Sequence, residues 1–495
     1  MVRWISLFLL LISLSAEAKR FIVHHRAKNE RGRAGSFALT TEKRSIITGA
    51  SEAAVKSLFS NEEVVSIEED IILEATLEPG DVGSGDTFYN QQWHYFETSG
   101  IELPSAWDIT TGSQDIVVAI VDTGMTNHPD LQSKVIPGAD LVSESAMAGD
   151  GDGRDNDATD EGDWITFSDS CFQGMNKDSS WHGTHVAGTV AAHSDNGIGV
   201  TGVSWNSKIL PVRVLGKCGG YLSDIADGVR WAAGGSVAGV TNNQNPADVI
   251  NLSLGGRGNC TTTMQSAIDF AVSQGAVVVV ASGNDDQNLD FSSYVPANCR
   301  NVINVGASNR SSNRSYFSNY GSSVDIMAPG GDFSASVFST SNDGTTVANR
   351  ASYRGMSGTS MAAPHVAGVV ALIKSVAPNL FPAQIENIIK ESAKFVNCDE
   401  SNGCGAGMID AYSAIRLAEI TVPDGSFQGT EPINPTPDTP GAQRLIASDD
   451  GGGMCGSVAF VDGGKPPKGG LGAFVLSLVL GLTLSLVQKA TQRKF

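Results

Sequence analysis

From about Gln91 to Ile420 the chain alternates short, unbroken apolar runs with amphipathic stretches, and this alternation restricts the fold more than any other feature. The runs are IVVAIVD (Ile116–Asp122), KILPVRVL (Lys208–Leu215), DVINLSLGG (Asp248–Gly256), AVVVVASGN (Ala276–Asn284) and VINVGAS (Val302–Ser308). Continuous Val and Ile, without a polar residue at every second position, suit strands buried on both faces of a parallel sheet. Helical periodicity falls between and after them, at Ser223–Ala233, Thr262–Ser273, Ser360–Val376 and Pro382–Ala393. The order predicts an α/β fold with a doubly wound, mostly parallel sheet. A 41% hydrophobic content in 495 residues is enough to bury a large core and excludes wholesale disorder. With 33 Lys and Arg against 53 Asp and Glu, the net charge is −20, which argues against a nucleic-acid partner because phosphate binding requires clustered bases.

The flanks divide the chain further. Residues 1–18 carry a basic Arg3, an apolar run and the small-x-small pattern Ala16-Glu17-Ala18, the layout of a signal peptide. Residues 19–88 hold a strand-like Phe21–Val23, a helical Ser51–Ser60 and a second strand-like run at Val64–Asp70, a small α+β unit before the α/β domain at 89–420. Residues 421–470 are rich in Pro and Gly and read as a linker. Residues 471–495 contain the uncharged Leu471–Val487 followed by Lys489, Arg493 and Lys494. That ending is at the short limit of a membrane span with a basic inner flank. Its composition resembles the C-terminal sorting tails of Gram-negative bacteria, with a permanent membrane anchor as the rival. The expected location is outside the cytoplasm, extracellular or on the outer surface of a bacterium.

Open α/β sheets place their sites beyond the carboxyl ends of the strands. Asp122 ends the first run, in VDTG; His182 opens HGTHVAGTVAA; Ser360 begins a long helix in GTSMAAPHVAG. A serine hydroxyl becomes nucleophilic when a neutral imidazole takes its proton, and a buried carboxylate fixes the tautomer and supports the imidazolium. A helix start gives Ser360 free N–H groups beside its side chain, and Gly358 lets a substrate backbone approach. Asn284, closing AVVVVASGN, carries a carboxamide able to donate to an oxyanion together with the Ser360 N–H. His182 and His185 sit three apart, but the carboxylate that a zinc-binding helix requires is missing from that motif. His365 reads as a packing residue.

The motifs VDTGMTNHPDL, HGTHVAGTVAA, NLSLGG, ASGN and GTSMAAPHVAG stand in this order over about Gln91–Ala418, and the chain resembles the subtilisin-like serine proteases. The resemblance implies a serine endopeptidase with Asp122, His182 and Ser360 as triad and Asn284 as oxyanion residue. Ser253, Leu254, Gly255 and Gly256 would line one side of the substrate cleft, and Ala281, Ser282 and Gly283 the other. Residues 19–88 look like that family's inhibitory propeptide, an intramolecular inhibitor removed when the zymogen processes itself. Protein or peptide chains would be the substrates, with Asp290–Cys299 shaping the specificity pocket. The insert around Val337–Arg354 has no assignable role. The alternative from another class is a catalytically silent surface protein that keeps the fold for binding.

The stretch DGDGRDNDATDEGD at 150–163 concentrates six Asp and one Glu around one Arg, a density of like charge that suits a hard cation such as calcium. Asp152, Asp155, Asp157, Asp160 and Asp163 are the expected ligands, and some extracellular bacterial subtilases carry a similar loop. Family resemblance adds a second calcium site from Asp130, Asp195, Asn196, Ile198 and Val200, with Gln91 or Gln92 as a further ligand. Six cysteines, 171, 218, 260, 299, 398 and 404, lie in the α/β domain and allow fifteen pairings. Cys398 and Cys404 close a short loop and form the natural pair; by resemblance the others are Cys171–Cys218 and Cys260–Cys299. Cys455 is left over.

Overall fold

The computed structural model describes residues 19–27, 43–49, 52–58, 62–69, 86–169, 171, 174–398 and 403–422. The leader at 1–18, the linker beyond residue 422, the apolar segment at 471–495 and Cys455 lie outside the described residues. Among those that are described, the N-terminal part forms β1 (Lys19–Ala27), β2 (Lys43–Gly49), α1 (Glu52–Leu58) and β3 (Glu62–Glu69). The strands make an antiparallel sheet in the order β2-β1-β3.

The larger part opens with the short helices α2 (Trp93–Phe96) and α3 (Leu103–Trp107), then β4 (Val117–Asp122), β5 (Ala139–Asp140) and α4 (Ser145–Ala148). It continues through α5 (His182–Ala191), β6 (Lys208–Arg213), α6 (Leu222–Ala232), β7 (Val249–Leu252), β8 (Gly256–Arg257), α7 (Thr262–Ser273) and β9 (Val277–Ala281). The last elements are β10 (Tyr294–Val295), β11 (Ile303–Ser308), β12 (Ile326–Pro329), β13 (Val337–Asn342), β14 (Ala351–Met356), α8 (Thr359–Val376), α9 (Pro382–Glu391) and α10 (Ala411–Ile420).

Seven strands join in the order β12-β11-β9-β7-β4-β6-β5, and every pairing is parallel. Successive side chains of a strand face opposite ways, so each strand feeds two cores. Val118 and Ile120 of β4 pack with Val186 and Val190 of α5 and with the buried face of α8. Val117, Ala119 and Val121 face the opposite layer, built on α6 and α7. Full burial of each such Val or Ile stabilises by about 1.5–3 kcal/mol, and both layers would lose their floor if this strand were polar. Helix α8 is the one described helix long and apolar enough to cross a membrane, and 83% of it is buried inside this fold.

The chain runs from β4 outward to β5 and β6 on one side, then crosses to β7 on the other. The reversal places the switch point, and hence the natural site of an open α/β sheet, at the carboxyl end of β4, where Asp122 lies. The unassigned insert is an antiparallel hairpin, β13 against β14, with Val337 opposite Met356 and Asn342 opposite Ala351. Its Ser339 and Thr340 hydroxyls donate to the carbonyls of His185 and Thr184 at 2.9 and 2.7 Å, so it clasps α5. Three disulfides join Cys171–Cys218, Cys260–Cys299 and Cys398–Cys404.

Candidate active site

Asp122, fully buried at the end of β4, meets the His182 ring at the start of α5. Nδ1 of His182 lies 2.8 Å from Oδ1 and 3.0 Å from Oδ2 of Asp122, and the Thr123 N–H donates to Oδ1 at 2.8 Å. A carboxylate in that position fixes the proton on Nδ1 and leaves Nε2 as the acceptor. Burial lowers the pKa of His182, but the charge and hydrogen bond of Asp122, then the charges of Asp163 and Asp160, outweigh it and hold the pKa above its usual value. His185, one turn on, is driven down to about 3 chiefly by burial; its Nε2 sits 3.1 Å from the Arg354 carbonyl, beneath the site.

Ser360 and Asn284 arrive from the other side of the sheet. Pro364 lies inside α8 and has no N–H for the carbonyl four residues back, which is that of Ser360. The Ser253 hydroxyl fills that gap, donating to the Ser360 carbonyl at 2.8 Å, and is itself held by Asn251 Nδ2 at 2.9 Å. In return the Ser360 hydroxyl donates to the Ser253 carbonyl at 3.0 Å. The Ser360 hydroxyl is thus held by the exit of β7. Asn284 Oδ1 accepts from the Thr359 N–H and hydroxyl at 2.8 and 2.9 Å, which turns Nδ2 outward. A Cβ built on Gly358 would stand 3.5 Å from Asn284 Nδ2 and 3.6 Å from the Ser360 nitrogen. The two donors therefore converge on one small volume that only a glycine leaves open.

His182, Ser360 and Asn284 line one cleft of about 540 Å³. Ser253, Leu254, Gly255 and Gly256 form one wall and Ala281 and Gly283 another, with Tyr294, Val295 and Pro296 between them. Ser282 departs from the expected lining: its N–H donates to the Val305 carbonyl, its side chain is fully buried, and it supports the wall from behind. The alternation of side chains along an extended segment accounts for this.

The expected calcium ligands separate into groups. Among the described residues, no three His, Cys, Asp or Glu side chains converge to hold a metal. Asp152, Asp155 and Asp157 lie on the outer part of the acidic loop, where burial and then the charges of Asp150 and Asp155 raise the Asp152 pKa. Asp160 is buried and accepts from the Thr123 hydroxyl at 2.6 Å; Asp163 accepts from the Ser180 N–H and hydroxyl at 2.5 and 2.7 Å. Burial pushes Asp160 up to about 7, against the hydrogen bonds from Thr123 and Gly162 and with the charge of Asp163 beside it. At the second loop the side-chain oxygens of Asp130 and Asn196 accept hydrogen bonds from within the loop. Asp130 accepts from Val200 N–H and Asn196 Nδ2, both at 2.9 Å, and Asn196 Oδ1 accepts from Ile198 N–H at 3.0 Å. Gln92 pairs both ends of its amide with Thr201, the Asp195 N–H goes to Asp86, and the Gly199 carbonyl accepts from Phe88 N–H.

Sequence reasoning passed over Thr123, Ser180, Thr359 and Arg354. Each flanks a motif residue or sits in the insert, and adjacency to Asp122, His182 or Ser360 was the available signal.

A carboxylate-bound imidazole and a helix-start serine opening on one cleft at the rim of a parallel sheet are the marks of a serine hydrolase. The chain belongs to the subtilase family, which matches residues 113–407. It is 48% identical over 383 residues to an extracellular protease of Xanthomonas campestris pv. campestris, covering 77% of this chain and 64% of that protein. It is 42% identical over 391 residues to an extracellular basic protease of Dichelobacter nodosus, covering 77% and 62%. The chain thus spans less than two thirds of the length of these two relatives, whereas at 35% identity it covers 97% of subtilisin BL from Lederbergia lenta. A solved structure described as proteases from Pseudoalteromonas arctica PAMC 21717 is 50% identical, with a TM-score of 0.65, covering 68% of this chain and 99% of that one.

Proposed function

We propose that this chain is an exported serine endopeptidase made as a zymogen. The observation that carries the reading is the 2.8 Å contact between Asp122 and His182 Nδ1, in a cleft shared with Ser360 and Asn284. Ser360 Oγ attacks the scissile carbonyl as its proton passes to His182 Nε2, forming a C–O bond and a tetrahedral oxyanion. The Ser360 N–H and Asn284 Nδ2 donate to that oxygen. Collapse breaks the C–N bond while the imidazolium returns the proton to the leaving amine; water then repeats the sequence on the acyl-enzyme. The substrate lies extended along Ser253–Gly256, adding a strand whose side chain enters the space between Leu254 and Val295. The test is labelling by a fluorophosphonate: the matured wild type reacts at Ser360, Ser360→Ala does not, and an unreactive wild type rejects the catalytic reading in favour of a binding protein.

Residues 19–88 act in this reading as the chain's own inhibitor. Residues 86–88 side with the catalytic unit: Asp86 is buried against Asp195 and Asn196, and Phe88 stacks edge-on against Phe338 and Tyr353. Removal of the inhibitor upstream of Asp86 keeps these contacts. Calcium, as a structural ion, would neutralise the crowded charge of Asp152, Asp155 and Asp157, whose side chains do not converge on one point in this structure and would have to draw together around it. A chelator then lowers the melting temperature, added calcium restores it, and Asp155→Ala is insensitive to both.

A further inference from the structure

The backbone on either side of His182 is under unusual constraint. Trp181, immediately before it, has φ of 53°, a left-handed conformation that a bulky residue holds only when its surroundings over-determine it. Gly183, immediately after it, approaches β4 so closely that a Cβ would lie 2.2 Å from the Gly124 carbonyl oxygen. Both flanks lead to one short loop. The Gly183 N–H donates to the Thr123 hydroxyl at 3.0 Å, and that hydroxyl donates to buried Asp160 at 2.6 Å. Two residues before His182, Ser180 gives its N–H and hydroxyl to Asp163, while its carbonyl accepts from Arg354 of the hairpin. The loop is itself anchored to the end of β4, with Met125 N–H donating to the Ala158 carbonyl at 3.0 Å and Asp160 N–H to the Met125 carbonyl at 3.2 Å. Gly162 N–H satisfies the other Asp160 oxygen at 2.9 Å.

We infer that Asp160 and Asp163 are positioning residues for the base, two carboxylates of one loop that grip the chain on both sides of His182, Asp160 acting through Thr123 and Asp163 through Ser180. Thr123 is the pivot, because it follows Asp122 in sequence and its one hydroxyl joins the strand carrying the acid to the helix carrying the base. The inner part of the acidic loop is therefore part of the catalytic frame, distinct from its outer, cation-suited part.

This inference rests on the proposed catalytic reading, and one set of measurements separates the two. Matured protein, processed in trans by wild-type enzyme where a variant does not mature itself, is followed by fluorophosphonate labelling rate and by kcat and KM on a peptide substrate. Thr123→Val removes the pivot hydroxyl at nearly constant volume and should slow labelling and kcat by about 10- to 100-fold with KM changed by less than about threefold, since a small misplacement of a reacting group is enough. Thr123→Ser restores the hydroxyl and should return kcat to within about threefold of wild type. Asp160→Asn, which leaves only one acceptor oxygen for Thr123 and Gly162, should fall between them and stands in if Thr123→Val does not fold. Wild-type labelling rates in Thr123→Val or Asp160→Asn would overturn the clamp, as would a loss carried wholly by KM or one fully reversed by excess calcium. An unreactive wild type would instead reject the catalytic reading.

Discussion

The two sides of the cleft are held in place by different chemistry. The Asp122–His182 side is braced by charged groups: Asp160, Asp163 and Arg354 reach the backbone around the imidazole directly or through Thr123 and Ser180. The Ser360–Asn284 side is braced by neutral ones: Ser253 substitutes for the N–H missing at Pro364, and Thr359 orients the Asn284 amide. In the proposed mechanism His182 changes charge during turnover, so negative neighbours that favour its protonated form would help the transition state. The proposed oxyanion would form beside Ser360, where a fixed carboxylate would oppose it. Segregating the charges lets both demands be met within one cleft.

The largest expected effect removes the nucleophile from the neutral side. Ser360→Ala should lower kcat by about 10⁶, a magnitude carried over from subtilisin, and leave the N-terminal segment attached by intact mass. Next, Asn284→Leu should lower kcat by about 10²–10³, again the size found in subtilisin, with KM almost unchanged because the ground-state carbonyl does not rely on that donor. An equal loss in KM and kcat would place Asn284 in substrate binding. Ser253→Ala should act on stability: with no N–H from Pro364, the Ser360 carbonyl is left unpaired, and chemical denaturation should show a loss of about 1–3 kcal/mol. The smallest effect is on pH dependence. His182 must be neutral to act in this mechanism, and against burial the charge of Asp122 holds its pKa above the ordinary imidazole value, so activity should fall with acidification through a midpoint higher than that of a free imidazole. Asp163→Asn removes a negative neighbour, favours the neutral ring, and should move that midpoint downward; a midpoint that stays or rises would break the contrast between the two sides.

The sheet was legible because its strands are buried on both faces, which leaves unbroken Val and Ile runs such as Val277–Val280. The motif residues were legible because each follows such a run or opens a helix. The hairpin was not: its strands mix Ser, Thr, Asn and Arg with few large apolar residues, since one face lies against α5 through hydroxyl groups. Asn342-Asp343-Gly344 between them was a turn signal that marked it. The acidic loop misled in part, because a run of Asp looks the same whether its members face solvent or, like Asp160, turn beneath a catalytic strand. Ser282 shows the same limit on a smaller scale, one position in a motif that faces away from the cleft.

Trp181 supplies a last consequence. Its left-handed backbone is secured by the indole's bond to the Gly344 carbonyl at 2.7 Å and by the Arg354 contact to the preceding residue, both from the hairpin more than 160 positions later. A ribosome that has delivered the first two thirds of this polypeptide has therefore delivered Asp122 and His182 without the contacts that hold the backbone beside His182. In the proposed reading, competence to cut would arrive late, with the same stretch that brings Ser360.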